Sequence, residues 1–208
     1  LANGNTLDST VTQTGIRIFS NGLDTRTRGI DLLASYATDF GDLGDVDWSL
    51  AANYTDTKVT RIAPAPSQLA AGVALFDKAA ISDLETTAPK YRVVASALWT
   101  LGALTVNLKE SYYGESSNFQ TRTGAIYYEN RISPTLITDL DIGYEVLEGV
   151  TVSIGANNLF NEYPDGLNRD AKQDYLSANN QFYTQKYPAF SPFGINGGYY
   201  YGKLTYAF

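Results

Sequence analysis

Asp139 and Asp141 stand two residues apart in PTLITDLDIGYEV (134–146). On a strand they share one face, because side chains alternate with period 2. Paired carboxylates are the working groups of a glycoside hydrolase. Yet the same stretch sets Thr138, Leu140, Ile142, Tyr144 and Val146 against Asp139, Asp141, Gly143 and Glu145. A strand with one wetted face accounts for these acids without catalysis. A second oxygen-rich group lies in PDGLNRDAKQD (164–174), which carries Asp165, Asn168, Asp170 and Asp174. Loop oxygens hold Ca²⁺, but this spacing departs from the helix-loop-helix calcium pattern, and a solvated loop is the simpler reading. The sequence holds no His and no Cys. That removes triads, thiol nucleophiles, thiolate metal sites and disulfides. The expectation is a protein that is not an enzyme, with no catalytic residue, no metal site and no cofactor.

Binding chemistry is the alternative. The loop after 164 continues with Tyr175, Phe182, Tyr183, Tyr187, Phe190 and Phe193. Aromatic faces stack on a flat ligand or cover an apolar one; ordinary packing of the loop is the competing reading. Arg122, Arg131 and Arg169 offer charge to an anionic small molecule. The net charge of −7 argues against nucleic acid, which wants a basic face.

The elements that must carry these residues read as strands. DVDWSLAANYTDT (45–57) places Val46, Trp48, Leu50, Ala52 and Tyr54 on one face, with Asp47 on the other. VTVSIGANN (150–158) alternates Val150, Val152, Ile154 and Ala156 against polar or small residues. Strands are also expected over 26–40, 89–100, 104–116 and 134–146, with a closing strand within 197–208 and a weaker one over 11–22. The apolar face of the last strand carries Tyr200, Leu204, Tyr206 and Phe208. Short connections (40–44, 101–103, 147–149) alternate with long ones (61–88, 117–133, 164–195). Compact soluble domains seldom carry three such loops, whereas transmembrane barrels pair short periplasmic turns with long extracellular loops. A strand of about ten residues, tilted about 45°, rises roughly 23 Å, close to the apolar band of an outer-membrane barrel. Mean hydropathy of −0.20 does not oppose this, since half of each strand faces water. The competing fold is a soluble β-sandwich or lipocalin-like barrel. Tyr54, Trp99, Tyr112, Tyr144 and Tyr206 near strand ends favour interfacial girdles.

Three stretches resemble the TonB-dependent outer-membrane receptors. RTRGIDLLASY (26–36) resembles a recurrent barrel strand of that family. VSIGANNLFNEYP (152–164) resembles its penultimate strand, and SPFGINGGYYYGKLTYAF (191–208) its closing strand with a terminal Phe. LETTAPKYR (84–92) adds a weaker match. The resemblance implies an all-β, antiparallel transmembrane barrel of about 22 strands around a plug, of which residues 1–208 are the C-terminal part, roughly the last third; the seven strands read above, with the weaker 11–22 as an eighth, fit that share. The plug domain and the TonB-contacting box would lie elsewhere, in the same or another chain. The start at Leu1 reads as a mature form or a piece of something longer.

The resemblance further implies TonB-dependent import of a ligand, a ferric siderophore or similar chelate being the commonest class, across the bacterial outer membrane. Its implied partners are outer-membrane lipid, the TonB complex, the plug or remaining strands, the barrel-assembly machinery and a small-molecule ligand. Asp47, Asp139, Asp141 and Glu145 would face the lumen. Tyr206 and Phe208 would form the assembly signal. A passive porin or small adhesive barrel is the alternative. Two local expectations complete the reading. A helix over 67–84 shows Leu69, Val73, Phe76, Ala80 and Leu84 at helical spacing. Glu110 shares the apolar face of Leu104, Val106 and Leu108, and a bulge near Lys109 is expected to turn it away.

Overall fold

The computed structural model describes residues 21–64, 74–179 and 185–207. All but the last two residues of 11–22 lie outside these, as do residues 67–73, Tyr183 and Phe208. The strands are β1 (Leu23–Asp39), β2 (Asp45–Ile62), β3 (Tyr91–Leu101), β4 (Leu104–Tyr113), β5 (Ser116–Gln120), β6 (Tyr128–Ile132), β7 (Thr135–Leu147), β8 (Val150–Asn157) and β9 (Tyr199–Tyr206). Two helices, α1 (Lys78–Glu85) and α2 (Arg169–Ser177), sit in the long connections.

Seven strands form one antiparallel sheet in the order β1-β2-β3-β4-β7-β8-β9, and β5 and β6 pair as a separate hairpin. Each sheet strand lies beside its neighbour in sequence apart from that inserted hairpin. The three short turns therefore meet at one end of the sheet and the three long connections at the other. β1 and β9 are the outer strands, and the sheet is open.

The register sorts side chains into two faces. Tyr36, Trp48, Ala97, Leu108 and Leu140 form one row across five strands, continued by Ala156 and Tyr200. This face is greasy and uncovered: Ile30 is 72% exposed, Ile154 63% and Leu204 72%. Among the described residues the buried apolar set is small, namely Val46, Ile132, Ile137, Ala156 and Ala171. Among the described residues no second layer packs on the apolar face, which differs from the two packed layers of a β-sandwich. Aromatics border the face. Tyr54, Tyr91 and Tyr112 lie toward the long-connection end, with the Tyr54 and Tyr91 rings 5.1 Å apart. Trp48, Trp99, Tyr144 and Tyr206 lie toward the short turns, where Trp99 Nε1 donates to the Leu43 carbonyl at 2.7 Å. Tyr54 and the Trp99 row are about eight residues apart, roughly 26 Å along a strand and about 20 Å when tilted.

The expected bulge at Lys109 is absent. Pairing of β4 with β3 and with β7 runs without a register shift, and Glu110 faces Ala95 and Thr138 on the apolar side. Thr138 Oγ1 lies 2.9 Å from both Glu110 carboxylate oxygens. A hydroxyl on the neighbouring strand thus holds the carboxylate, and the phase need not change. Glu110 lines a depression of about 420 Å³ on this face, together with the small residues Ala34, Ala95 and Ala97.

The helix expected over 67–84 appears as α1, Lys78–Glu85. Asp77 caps it, accepting from Ala80 N at 2.9 Å. Its inward contact is polar rather than an apolar stripe: Ser82 is buried while Leu84 is 44% exposed. Ser82 Oγ accepts from Phe119 N at 2.8 Å, and Glu85 accepts from Val59 N at 2.7 Å. The helix is thereby tied to β5 and to the end of β2.

Candidate functional site

The polar face of the sheet gathers the expected inward acids. Asp139 pairs with Lys109 at 2.6 Å and accepts from Asn158 N at 2.8 Å. Asp141 accepts from the Tyr201 hydroxyl at 2.7 Å, with Lys203 Nζ at 3.6 Å. Asp141, Gly155 and Tyr201 are successive partners across β7, β8 and β9. A Cβ on Gly155 would collide with the Tyr201 ring, so this glycine lets the tyrosine lie across β8 to reach the acid. Asp47 and Glu145 share this face by register. Asp47 is exposed, while Glu145 accepts from Gly149 N at 2.9 Å and closes the β7–β8 turn. Both central acids are neutralised by neighbouring bases, an arrangement of a wetted wall rather than an acid–base pair.

The ANNLFN run closes the other end of β8. Asn158 and Asn161 hold φ of 54° and 60°, a left-handed conformation in which Asn is favoured over most other residues. The Asn158 amide donates to the Glu162 carbonyl and accepts from Glu162 N, both at 2.8 Å. Asn161 Oδ1 accepts from Gly198 N at 2.8 Å, anchoring the entry to β9.

At the long-connection end, α1, the β5–β6 hairpin and the third long connection surround a cavity of about 580 Å³. Its polar lining comes from Asp83, Thr87, Asn118, Gln120, Asn130, Tyr175 and Gln185. Leu167, Pro188, Ala189 and Phe190 supply the apolar side. Asn130, 1% exposed, organises the wall. Its Nδ2 donates to Gln120 Oε1 at 2.6 Å and Asn118 Oδ1 at 3.2 Å, and its Oδ1 accepts from Asn168 N at 2.9 Å. Asn168 in turn caps α2, accepting from Asp170 N and Ala171 N at 3.0 and 3.1 Å. Sequence reading took 164–174 for a plain loop and missed α2. The signal was there in the Asn168 cap followed by Asp170 in the first turn.

The predicted ligand residues scatter around this cavity. Tyr175 lines it and donates to the Thr121 carbonyl at 2.7 Å; burial pushes its hydroxyl pKa up, with Asp174 adding to the rise. Arg122 is spent on Asp174, at 3.0 and 3.1 Å, and that carboxylate raises the guanidinium pKa. Arg131 is paired with Glu115. Arg169 is exposed in the first turn of α2 and does not line the cavity. Tyr187 stacks on Tyr163, 5.7 Å between centroids, with Lys186 Nζ 4.8 Å from the Tyr187 ring; the Tyr187 hydroxyl raises the lysine pKa. The oxygen-rich set at 165–174 does not converge either. Asp165 accepts from Ser133 N at 2.7 Å, while Asn168 and Asp174 are used as above. Among the described residues no group of acids is placed to hold a metal ion. The amides Asn118, Gln120 and Asn130 were missed, since nothing in their spacing marks two short strands as one wall.

Residues 3–159 match the family described as TonB dependent receptor-like, beta-barrel. The chain belongs to this family. The FpvAI chain of an FpvAI–pyocin S2 complex superposes with a TM-score of 0.54 at 13% identity, covering 88% of this chain and 19% of FpvAI. The FrpB iron transporter of Neisseria meningitidis gives a TM-score of 0.54 at 14% identity, covering 89% of this chain and 24% of FrpB. At such identities the likeness is one of fold, and the chain spans about a fifth to a quarter of those receptors' length. No curated protein matches the chain in sequence. The family accounts for an antiparallel barrel wall, and its members are receptors rather than enzymes.

Proposed function

We propose that the chain forms part of a plugged barrel that imports a small molecule across the bacterial outer membrane with energy delivered through TonB. The observation that carries this reading is the open seven-stranded wall of a family barrel, apolar and uncovered on one face, polar on the other, with a ligand-sized cavity at its long-connection end. Residues 1–208 act as the C-terminal part of that barrel. Unpaired backbone groups in lipid cost several kcal/mol each, so the outer edges of β1 and β9 require further strands, from the same polypeptide or another. The polar face then lines the lumen against a plug, and lipid covers the apolar face, including the row from Tyr36 to Tyr200. Tyr206 and Phe208 act as the signal that the barrel-assembly machinery reads. A ferric chelate, the commonest ligand suggested by the resemblance, draws little support from Arg122 and Arg131, whose charges are already paired.

Two measurements on the intact outer-membrane polypeptide test the proposal. In planar bilayers a plugged barrel holds closed, and the solubilised protein binds the periplasmic domain of TonB. A steady open conductance with no TonB binding would replace import by a passive porin.

A further inference from the structure

We infer that the cavity between α1, the β5–β6 hairpin and the third long connection selects a neutral, hydroxyl-rich ligand, a carbohydrate in chemical class. The inference rests on the import reading and adds the substrate class to it. The wall is made of groups that both donate and accept. An amide head offers NH₂ and C=O side by side, and a sugar hydroxyl also does both. Asn118 and Gln120 present such heads from the hairpin and Gln185 from the third connection. Asp83 Oδ1 takes the Asn118 NH₂ at 3.2 Å, while Oδ2 has no hydrogen-bond partner among the described residues. Gln120 spends its oxygen on Asn130 at 2.6 Å, which leaves its NH₂ without a hydrogen-bond partner among those residues. Gln120 is held by the buried Asn130, and Asp83 by Asn118, which Asn130 also bonds, so a spare acceptor and a spare donor sit on positioned heads. Phe190 and Tyr175 supply the flat surfaces on which the C–H face of a sugar ring packs. The volume of about 580 Å³ falls in the range of small-molecule sites, roughly 300–1,000 Å³.

Charge excludes the competing class. An anionic ferric chelate needs unspent cations near its oxygens. Among the described residues no Lys or Arg lines the cavity, and the one charged side chain among them that does is the Asp83 carboxylate, which repels an anion.

The test uses the full detergent-solubilised receptor on an array of neutral and sialylated oligosaccharides, with an iron tris-catecholate titrated separately by fluorescence quenching. Neutral oligosaccharides are expected to bind and the catecholate not to. Losing one hydrogen bond to a buried polar ligand group, Gln120→Ala and Asp83→Ala each weaken that binding about tenfold, while Arg169→Ala leaves it unchanged. An unaltered melting temperature shows that the variants fold. Gln120→Asn, which keeps the amide but draws it back by one methylene, repeats the test should Gln120→Ala unfold. Absence of neutral-glycan binding, preference for sialylated glycans, glycan binding indifferent to Gln120 and Asp83, or catecholate binding lost with Arg169→Ala would each overturn the carbohydrate class. None of these touches the import reading, which stands or falls on TonB binding and bilayer conductance.

Discussion

The seven-stranded wall and the assembly at its long-connection end are built by opposite rules. In the wall, backbone bonds to backbone, and a side chain needs only the right polarity for its face. In the end assembly, side chains bond to backbone: Asp77 and Asn168 cap helices, Ser82 and Glu85 accept from strand amides, and Asn158 holds both groups of Glu162. The wall therefore tolerates changes that respect its period and fails when polarity crosses from one face to the other. The end assembly depends on individual residues, and a change of one atom type there leaves a backbone group unpaired.

The largest break in this contrast comes from Leu140→Arg. Leu140 sits in the row between Leu108 and Ala156 on the apolar face. A lipid-facing Arg near the midplane costs roughly 2–4 kcal/mol, so the variant should insert poorly into lipid vesicles and lose its compact gel mobility. Normal assembly would show that this face does not meet lipid. Next comes Asn158→Ala in the end assembly. It removes two side-chain bonds and leaves Ala at φ 54°, a combined loss of about 2–3 kcal/mol. Denaturant titration should show it, with exchange protection falling at Glu162 amide before the β7–β8 ladder. A loss spread evenly over the ladder would mean that the two regions are one cooperative unit.

The contrast also explains what was legible in the sequence. Period 2 located most strands of the wall, because they are long enough to show alternation and one face is mainly apolar; 89–100 (β3) is apolar on both faces, and its sequence reads as a strand without showing which side faces which way. It even assigned the faces of 138–146 and 150–158 correctly. It failed at Glu110, where a single acid outvoted three apolar neighbours and suggested a bulge; the hydroxyl of Thr138, on a strand 28 positions away in sequence, cannot be foreseen from local pattern. The cavity was less legible. Arg and Tyr stand out by type, yet Arg122 and Arg131 are satisfied locally. The Asn118–Asn130–Gln120 wall depends on pairing two five-residue strands, β5 and β6, too short to register as alternation.

A smaller break tests whether the polar face is as permissive as the apolar one. Gly155→Val puts a branched side chain where the Tyr201 ring crosses β8. Overpacking of this kind costs about 1–3 kcal/mol, and it should free the Tyr201 hydroxyl from Asp141. Tyrosine fluorescence or hydroxyl exchange in the folded barrel would report the release, and an unchanged signal would mean that the ring has another route to the acid.

The smallest expected effect belongs to Glu110→Gln, and it bears most directly on the rule for the wall. The amide keeps an acceptor for Thr138 Oγ1, which now lies 2.9 Å from both carboxylate oxygens, and it removes a formal charge from the face proposed to meet lipid. Acidic residues on lipid faces cost less than basic ones, and the one retained hydrogen bond is worth about 1 kcal/mol. Stability in vesicles should therefore stay level or rise by up to about 1 kcal/mol. A fall of more than that would mean that the carboxylate is paired in the assembled barrel with a cation supplied from outside these seven strands, because among the described residues no Lys or Arg shares its depression. The depression beside Ala34, Ala95 and Ala97 would then be a contact surface rather than open wall, and the period-2 rule would hold for it only after its partner was counted.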